Sequence, residues 1–403
     1  MRDRLFFIDR MAGIRKTYSD LIFDVNATHA VPTIYSADDQ YRLIVTLIAA
    51  LCCNRDLALS QHPPIGQEES DSSFFPIRPN LQLTELSQSI MKSASKIGLF
   101  TSGTTGRAKL IQHRMESLAR SVRHAPHHTD DIWGLTYHSA SFAGLQVVLQ
   151  AICNTNPLVR LVGHGPSLVH DEIQRMGITH ISATPTWLRL ICSDGVQHQS
   201  VTHITSGGEI ADQALVAQTR LTFPNAIFKN IYASTESGTV LLSDGDVFRV
   251  PVNLADKVKV ENGILAVHFS LLAESIQYDG STGFHLTGDC VEVLSEDPLT
   301  FRFTSRRTDW INVGGSKVNP HEIERMLLAM EGIADARVFG RKNSVTGNIV
   351  CCELVRSRGE VISPMEIRQR LEKLVEPLMI PRIFEFVDSI DKTPTGKKSR
   401  SVP

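Results

Sequence analysis

The clearest chemistry in this sequence lies in one short segment, residues 101–109. It combines glycines, hydroxyl side chains and a lysine, at Thr101, Ser102, Gly103, Thr104, Thr105, Gly106 and Lys109. Glycine lets the backbone approach a ligand closely, hydroxyl groups add hydrogen-bond donors, and the lysine ammonium adds positive charge. The segment therefore predicts a loop that binds a polyphosphate. It is not a Walker loop, because the glycine spacing differs and Leu110 follows Lys109 where that loop has Ser or Thr.

Two acidic residues further along, Glu236 and Asp289, have carboxylates that could bind a metal ion or accept hydrogen bonds. Glu236 follows Thr235, and a carboxylate is a hard oxygen ligand. Asp289 follows a Thr-Gly pair, and an ionised carboxylate can accept hydrogen bonds from two donors. Each pattern also has a plain structural interpretation, since Thr-Glu pairs often begin helices and Gly-Asp pairs often form turns.

A third group of residues, His124, His127 and His128, has the chemistry of metal ligands. No second cluster of metal-binding residues stands out in the sequence. We therefore favour a surface location for these three histidines.

The composition narrows the class of protein. The 403 residues carry 41 Lys and Arg against 43 Asp and Glu, and a formal net charge of −2 argues against a dedicated nucleic-acid-binding protein. The seven cysteines have neither Cys-x-x-Cys spacing nor a zinc signature, which indicates free thiols in a reducing compartment. The longest apolar run, 43–53, falls well short of the roughly 20 residues that span a bilayer. We expect a cytoplasmic protein with no nucleic-acid or membrane partner.

The elements that would position these residues alternate along the chain. From residue 97 to residue 191, short apolar runs and amphipathic segments follow one another, which favours an α/β fold with a largely parallel sheet. In this pattern a strand at 97–100 precedes the polyphosphate loop and a helix at 112–123 follows it. An alternative interpretation makes the loop a polar turn whose hydroxyl groups cap that helix.

Three further regions have distinct patterns. Residues 39–53 predict a helix, and residues 60–80 are polar and interrupted by proline, which predicts a surface loop. Residues 247–303 carry short β-rich runs between Gly and Asp, which predict a small antiparallel or barrel-like subdomain. Beyond a boundary near residues 304–309, helices begin at Asn319-Pro320 and Ser363-Pro364, and strands are expected at 336–339, 349–355 and 383–387. This last region predicts a compact α+β unit.

Five segments in a fixed order resemble the adenylate-forming superfamily, which includes acyl-CoA synthetases, aryl-acid ligases and the adenylation domains of nonribosomal peptide synthetases. They are residues 101–109, 230–236, 284–289, 305–324 and 393–400. The shared order makes the resemblance specific, and it covers the chain from about residue 97 to residue 400. In the first segment, Ala108 and Leu110 stand where the family pattern has Pro and Gly.

The resemblance implies a role for each residue of a nucleotide site. Tyr232 would pack on adenine, and Thr235 would contact the α-phosphate. Glu236 would help to hold Mg²⁺. Asp289 would accept hydrogen bonds from both ribose hydroxyls, and Arg306 would reach the ribose or a phosphate.

The resemblance also implies a mobile C-terminal domain. Thr308 stands where the family usually has the hinge Asp or Lys, so Asp309 could share that role, and Asn312 replaces a frequent Lys. Gly314 and Gly315 would let a pantetheine arm approach the backbone.

Lys397 would act during adenylation, together with Thr235 and Glu236. In the family the corresponding lysine enters the active site, where an ammonium stabilises the negative charge that develops as a carboxylate attacks the α-phosphate. The alternative is a solvated basic tail, since Lys397 and Lys398 lie close to the end of the sequence.

The segment 137–144 bears on the acid, because it contains no acidic residue. Adenylation domains for α-amino acids usually carry an Asp here, and an unpaired buried ammonium is costly, so an α-amino acid is disfavoured. An aromatic or short aliphatic carboxylate fits better, although two alignments of the segment are possible. Candidate pocket residues are His138, Ser141, Phe142, Gly207, Gly208, Glu209, Ala233 and Ser234, of which Gly208 and Glu209 would also contact the nucleotide. An equally weighted alternative makes Tyr137 and Phe142 core residues.

Taken together, the resemblance implies an ATP- and Mg²⁺-dependent ligase. Residues 1–305 would form a large N-terminal domain of parallel-sheet α/β subdomains with a small β-rich subdomain, and residues 306–403 a small mobile α+β domain. The enzyme would convert a carboxylic acid to acyl-AMP and pyrophosphate, then pass the acyl group to the phosphopantetheine thiol of CoA or a carrier protein. Three alternatives stay open: an amino, β-amino or hydroxy acid as substrate, an amine or reductive partner as acceptor, and a nucleotide-binding relative with little turnover.

Overall fold

A computed structural model describes residues 3–61, 73–101, 109–344, 346–357, 359, 361–391 and 398. Its largest sheet has eight strands, which in spatial order are β14 (Gly238–Ser243), β13 (Ile227–Ser234), β12 (His203–Gly207), β11 (His180–Ala183), β9 (Trp133–Leu135), β10 (Leu158–Arg160), β1 (Leu5–Asp9) and β2 (Ile14–Thr17). The six inner strands run parallel, and the two outer strands are antiparallel to their neighbours. This arrangement confirms the predicted parallel sheet.

A second sheet carries the polyphosphate loop. Its four strands in spatial order are β4 (Ile34–Ser36), β5 (Leu57–Ser60), β7 (Lys96–Thr101) and β8 (Lys109–Arg114), and a separate pair is formed by β3 (Ala30–Pro32) and β6 (Phe74–Pro76). The strands β4, β5 and β7 run parallel, whereas β8 is antiparallel to β7. Of the predicted loop 60–80, residues 74–76 are strand β6, and residues 62–72 lie outside the described residues.

Helices and sheets enclose two hydrophobic cores in this part of the chain. The helices are α1 (Tyr18–Asn26), α2 (Gln40–Cys52), α3 (Leu86–Met91), α4 (Met115–Leu118), α5 (Phe142–Cys153), α6 (Pro166–Met176), α7 (Pro185–Cys192) and α8 (Gln213–Thr222). Phe7 and Ile8 of β1 face opposite sides of the sheet, so Phe7, with Phe6, enters the core with α1, α2 and α5, and Ile8 enters the core with α6, α7 and α8. Helix α2 confirms the prediction for residues 39–53, with Asp39 as its N-cap.

The remaining elements form a β-rich sheet and a C-terminal unit. The β-rich sheet is antiparallel, with β15 (Val247–Arg249), β19 (Leu299–Arg306), β18 (Phe284–Glu296), β17 (Ile264–His268) and β16 (Val258–Glu261) in spatial order. The C-terminal unit comprises β20 (Ile311–Val313), β21 (Ser316–Val318), α9 (Pro320–Leu328), β22 (Ile333–Asn343), β23 (Gly347–Arg356), α10 (Pro364–Leu371) and β24 (Ile383–Phe386). Both units confirm the predicted fold class, and Asn319 and Ser363 cap their helices as expected. The division of the chain at residue 305 stays a prediction.

The helix predicted at 112–123 is wrong in its first part. Residues 109–114 form strand β8, and α4 and a 3₁₀ turn at Ala119–Ser121 follow it. Along β8 the buried residues Ile111 and His113 alternate with more exposed ones, so the two-residue period of a strand outweighs the helical pattern. Residues 102–108 therefore connect two antiparallel strands and do not lead into a helix.

Among the residues that the structure describes, every helix is too short or too polar to cross a lipid bilayer.

Candidate active site

Strands β7 and β8 hold the two ends of the polyphosphate loop. Thr101 and Lys109 are directly opposite each other, and the Thr101 hydroxyl donates a hydrogen bond to the Lys109 carbonyl oxygen at 3.3 Å. The other predicted phosphate-binding residues lie outside the described residues: Ser102, Gly103, Thr104, Thr105 and Gly106. Their contacts with phosphate stay predictions.

Thr235 and Glu236 lie in the turn that joins β13 to β14. The His113 ring, on β8, contacts the Thr235 carbonyl oxygen at 2.6 Å through Nε2, and the Ala273 amide donates to the Glu236 carbonyl oxygen at 2.7 Å. The turn is therefore anchored from two sides through its backbone. This anchoring uses neither the Thr235 hydroxyl nor the Glu236 carboxylate, the groups expected to contact phosphate and Mg²⁺.

His113 is a site residue that the sequence analysis missed. Burial lowers its pKa, so the ring is neutral at pH 7. A carbonyl oxygen only accepts, so Nε2 carries the proton and Nδ1 accepts from the Ser117 hydroxyl at 3.3 Å. His113 thus ties the strand that begins with Lys109 to the turn that carries Glu236. The one feature of the sequence that could have pointed to His113 is the alternation of side chains along β8, and the predicted helix hid that alternation.

The structure brings together Tyr232, Asp289 and Arg306. The Tyr232 hydroxyl donates to Asp289 Oδ2 at 2.7 Å, and burial raises the pKa of Tyr232 so that this proton stays in place. Arg306 lies opposite Asp289 in the β18–β19 ladder, with its Nε 3.3 Å from Asp289 Oδ1. Each Asp289 oxygen keeps a second lone pair, so the carboxylate can still accept hydrogen bonds from two hydroxyl groups.

The Tyr232 ring is also fixed by an aromatic neighbour. It stacks on Phe303 of β19 with ring centroids 4.6 Å apart and an interplanar angle of 23°. The aromatic contact and the hydrogen bond to Asp289 together set the orientation of the ring. Contact with adenine stays a prediction.

The predicted acid-binding segment leads into α5. The Ser141 hydroxyl donates to the His138 carbonyl oxygen at 2.7 Å and accepts from the Gly144 amide at 3.0 Å. The His138 ring Nδ1 accepts from the Ala140 amide at 3.1 Å. Ser141 therefore caps the helix and His138 shapes the approach to it, which gives both residues a structural role. Their contacts with an acid stay predictions.

Phe142, Ala233 and Ser234 surround the turn that carries Glu236. The Phe142 ring centroid lies 5.8 Å from that of His113, and a Cβ built on Gly238 would lie 3.6 Å from Phe142 Cζ. Ala233 and Ser234 end β13, immediately before the turn, where Ser234 Oγ accepts from the Ser237 amide at 3.1 Å. These predicted pocket residues are therefore next to the predicted metal ligand.

The backbone around Gly207 and Gly208 explains why glycine occupies these two positions. Gly207 ends β12, and a Cβ there would come within 3.1 Å of the Ile231 carbonyl oxygen. Gly208 has a φ of +85°, which favours glycine. The absence of a side chain at Gly207 lets the end of β12 lie close to β13, whereas the role of both glycines as a pocket floor stays a prediction.

Glu209 makes contacts that the sequence analysis did not anticipate. Its Oε2 accepts from the Thr186 amide in the first turn of α7 at 2.9 Å, and its Oε1 accepts from the Lys398 amide at 2.8 Å. Lys398 Nζ in turn lies 2.6 Å from Asp335 Oδ1 and donates to the Ala336 carbonyl oxygen of β22. Glu209 therefore links the end of the chain to the predicted pocket, whereas its contact with nucleotide stays a prediction. Lys397, the residue before Lys398, lies outside the described residues.

The predicted hinge and thiol-binding residues have local partners. Asp309 Oδ2 lies 3.0 Å from His321 Nε2 at the start of α9, and the Thr308 hydroxyl contacts Asp309 Oδ1 at 3.3 Å. Gly314 and Gly315 form the two-residue turn between β20 and β21, with φ of +58° and +91°. Such a turn needs positive φ at both positions, which explains the two glycines. The hinge and pantetheine roles stay predictions.

Comparison with known proteins identifies the family. The family model for AMP-binding enzymes matches residues 69–271, just over half of the chain, and the model for the AMP-binding enzyme C-terminal domain matches residues 322–397. The chain therefore belongs to the AMP-binding enzymes, the adenylate-forming superfamily that its five motifs resemble.

Individual relatives are distant. The chain is 25% identical over 263 residues to 4-hydroxybutyrate–CoA ligase 1 of Metallosphaera sedula, which covers 57% of this chain and 46% of that protein. It is 25% identical over 339 residues to the fatty acid–[acyl-carrier-protein] ligase ScoC of Streptomyces coeruleorubidus, which covers 74% of this chain and 65% of that protein. The chain thus spans less than two thirds of the length of either relative.

A solved structure supports the fold. The o-succinylbenzoate CoA synthetase of Bacillus subtilis, in complex with an acyl-adenylate intermediate, is similar to this chain with a TM-score of 0.69 and 17% identity. The similarity covers 99% of this chain and 94% of that chain. It confirms the arrangement of α/β, β-rich and small C-terminal units.

Replacing Gly144 by alanine is expected to destabilise the start of α5. A Cβ there would come 2.1 Å from the His138 carbonyl oxygen, so the backbone must shift, at an expected cost of about 1–3 kcal/mol. Urea unfolding of Gly144→Ala should show a lower midpoint. Gly165→Ala is the matched control, because a Cβ at Gly165 meets no atom within 4 Å. Identical midpoints for the two variants would contradict this account of the segment.

Proposed function

We propose that this protein is an ATP- and Mg²⁺-dependent ligase that forms an acyl-AMP from a small carboxylic acid and transfers the acyl group to a phosphopantetheine thiol. The observation that supports this best is the position of residues 232–236. At one end Tyr232 holds Asp289, and at the other end His113 ties Glu236 to the strand that begins with Lys109. The proposed ribose-binding carboxylate, Asp289 of β18, thus contacts β13, and the proposed metal-binding carboxylate, Glu236, lies in the turn that follows β13.

The nucleotide would lie along residues 232–236, between Asp289 and the polyphosphate loop. Its phosphates bind the loop between Thr101 and Lys109, and its ribose hydroxyls donate to Asp289. Mg²⁺, when bound, neutralises phosphate charge, and the residues present fit it, because Glu236 offers a hard oxygen ligand that its turn does not use for anchoring. Arg306, beside Asp289, adds positive charge at the same place.

Two half-reactions follow from this arrangement. In the first, the carboxylate oxygen of the acid attacks the α-phosphorus and pyrophosphate leaves, while Lys397 stabilises the developing negative charge. In the second, the thiol attacks the acyl carbon, a thioester forms and AMP leaves. The contact between Lys398 and Glu209 supports the role of Lys397, because it holds the segment after Lys397 against the turn of the predicted pocket.

The C-terminal domain would rotate between the two half-reactions. Thr308 and Asp309 are the proposed hinge, and rotation would present the turn of Gly314 and Gly315 to the pantetheine arm. The hydrogen bond between Glu209 and Lys398 and the ion pair between Asp309 and His321 are the contacts that such a rotation would have to break or carry along.

The substrate class we propose is an aromatic or short aliphatic carboxylate. Phe142 offers an apolar surface beside the turn of Glu236, and Gly207 and Gly208 carry no side chain at the end of β12. The relatives act on 4-hydroxybutyrate and fatty acids by name, and one uses CoA while the other uses an acyl carrier protein. We propose one of these two thiols as the acceptor, to be decided by comparing thioester formation with each.

Exchange of labelled pyrophosphate into ATP tests the first half-reaction directly. We expect exchange that depends on an aromatic or short aliphatic acid and that fails with α-amino acids, because residues 137–144 offer no carboxylate for an ammonium. A panel of acids in one assay identifies the substrate. ATP binding without exchange for any acid would instead indicate a nucleotide-binding relative with little turnover.

Lys397→Ala is expected to separate the two half-reactions. Loss of a positioned ammonium should slow adenylation roughly 100-fold or more, as for other groups that stabilise developing charge. Thioester formation from supplied acyl-AMP should be retained. Lys373→Ala, an exposed lysine of the same C-terminal region, serves as the control and should leave both rates unchanged. An equal loss of both steps in Lys397→Ala would contradict the proposed role.

Asp289→Asn is expected to weaken ATP binding. The substitution removes a charged acceptor for the ribose hydroxyls, and hydrogen bonds to charged groups contribute about 1.5–3 kcal/mol, so the KM for ATP should rise roughly 10- to 100-fold. Steady-state kinetics at a saturating concentration of the acid measure the KM for ATP. Asp279→Asn, an exposed aspartate of the same β-rich region, is the control. An unchanged KM for ATP in Asp289→Asn would count against the ribose contact.

A further inference from the structure

Three side chains form a compact His-His-Asp cluster in the N-terminal part of the chain. Asp131 Oδ2 lies 2.8 Å from His128 Nδ1 and 3.5 Å from His180 Nε2. One ligand atom from each residue lies within 4.8 Å of the other two. The side chains of His128, Asp131 and His180 are 20%, 11% and 7% exposed. The cluster is therefore mostly shielded from water, with His128 as its most accessible member.

The cluster lies at the opposite edge of the large sheet from the nucleotide residues. His180 begins β11, and Asp131 and His128 precede β9, whereas Gly207 and Ser234 end their strands. The starts of parallel strands share one edge and their ends share the other. The cluster is therefore separate from the proposed ligase site.

The ring of His180 is oriented by three neighbours. Its Nδ1 lies 2.8 Å from the Thr179 hydroxyl oxygen, and its ring stacks on that of His203 with centroids 4.4 Å apart. The Trp133 ring lies 4.8 Å away on centroids. These contacts leave Nε2 of His180 facing Asp131.

The loop that carries His128 and Asp131 is held in place by its backbone. Asn156 is fully buried, and its Nδ2 donates to the carbonyl oxygens of His128 at 2.7 Å and Thr129 at 3.2 Å. Arg4 also donates to the Thr129 carbonyl oxygen. These hydrogen bonds hold the backbone of the loop, so His128 and Asp131 are positioned before a metal ion binds.

We propose that His128, Asp131 and His180 form a binding site for Zn²⁺. Zinc binds imidazole nitrogen and carboxylate oxygen at about 2.0–2.2 Å in tetrahedral geometry, which places two ligand atoms roughly 3.3 Å apart. The separations from Asp131 Oδ2, 2.8 and 3.5 Å, lie on either side of this value, and all three ligand atoms lie within 4.8 Å of one another, so zinc would have to draw the two imidazoles together. A water molecule would complete the four ligands.

The donor set distinguishes zinc from the magnesium of the proposed ligase. Two imidazoles suit zinc and related transition metals, whereas Mg²⁺ prefers oxygen ligands only. Zinc binding also selects the tautomer of His180 in which Nδ1–H donates to the Thr179 hydroxyl and Nε2 holds the metal, the outer hydrogen bond that orients metal-bound imidazoles.

The consequence of zinc binding would be structural. Strands β9 and β11 are adjacent in the sheet, with Trp133 opposite His180. An ion held by His128, Asp131 and His180 would join the loop before β9 to the start of β11. It would therefore stabilise the folded N-terminal part, because a ligand that binds only the folded state raises its stability.

Titration of the metal-free full chain with Zn²⁺, and separately with Co²⁺, tests the site. We expect about one equivalent of Zn²⁺ per chain by calorimetry, a higher Tm with Zn²⁺ and not with Mg²⁺, and visible absorption of four-coordinate Co²⁺. Asp131→Asn and His128→Gln should each weaken Zn²⁺ binding by about 100-fold or more, since even outer contacts of metal ligands cost 10- to 100-fold. Two variants are used so that one still tests the site if the other fails to fold.

His127→Gln is the matched control, because its exposed ring lies next to His128, with centroids 4.2 Å apart, but is not one of the three ligands. It should bind Zn²⁺ as the unchanged chain does. Absence of Zn²⁺ binding to the unchanged chain would overturn the proposal. Unaltered binding in Asp131→Asn and His128→Gln would also overturn it and would assign the ion to other groups, such as the free cysteines. A loss of Zn²⁺ binding in His127→Gln as large as that in Asp131→Asn and His128→Gln would overturn the three-residue site.

Discussion

The hydrogen bond between His113 and the Thr235 carbonyl oxygen joins two parts of the molecule that are 122 residues apart in sequence. One part is the strand that begins with Lys109 at the end of the polyphosphate loop, and the other is the turn that carries Glu236. Because His113 is buried and neutral, it donates from a fixed tautomer, and the bond has little competition from water. The arrangement of the proposed phosphate-binding and metal-binding groups depends on this contact.

A second connection runs from the large sheet to the β-rich sheet. Tyr232 belongs to β13, whereas Asp289 and Arg306 face each other across β18 and β19. The Phe303 contact adds an apolar surface to the same connection. Asp289, the proposed ribose-binding carboxylate, is therefore positioned by two sheets at once, which explains how a residue of a partly exposed β-rich unit can be held in a defined orientation.

The third connection joins the C-terminal unit to the predicted acid-binding pocket. Glu209 accepts one hydrogen bond from α7 and one from Lys398, whose ammonium pairs with Asp335. All three connections use a buried or half-buried polar group that bridges separate elements. Such groups are costly when a partner is lost, so they favour one arrangement of the units over others.

The sequence by itself determined the family, the fold class and the order of the chemical groups. Thr101–Lys109, Tyr232–Glu236 and Asp289 could be identified because their residue types and spacing reflect local chemistry, and α2 and the helix caps at Asn319 and Ser363 follow from local patterns. The predicted helix 112–123 was wrong at residues 112–114, because a short amphipathic run fits both a strand and a helix until its partner strand is known.

Only the tertiary structure decided which distant residues meet. His113 reaches Thr235, Lys398 reaches Glu209, and His180 lies beside Asp131, all across separations that no local pattern records. The sequence analysis placed His128 on the surface for this reason, since its two partners were not visible as one cluster. Contacts of this kind arise from the crossing of strands in a sheet and the packing of one unit on another. They depend on topology, whereas periodicity and motif spacing report only on neighbours in the chain.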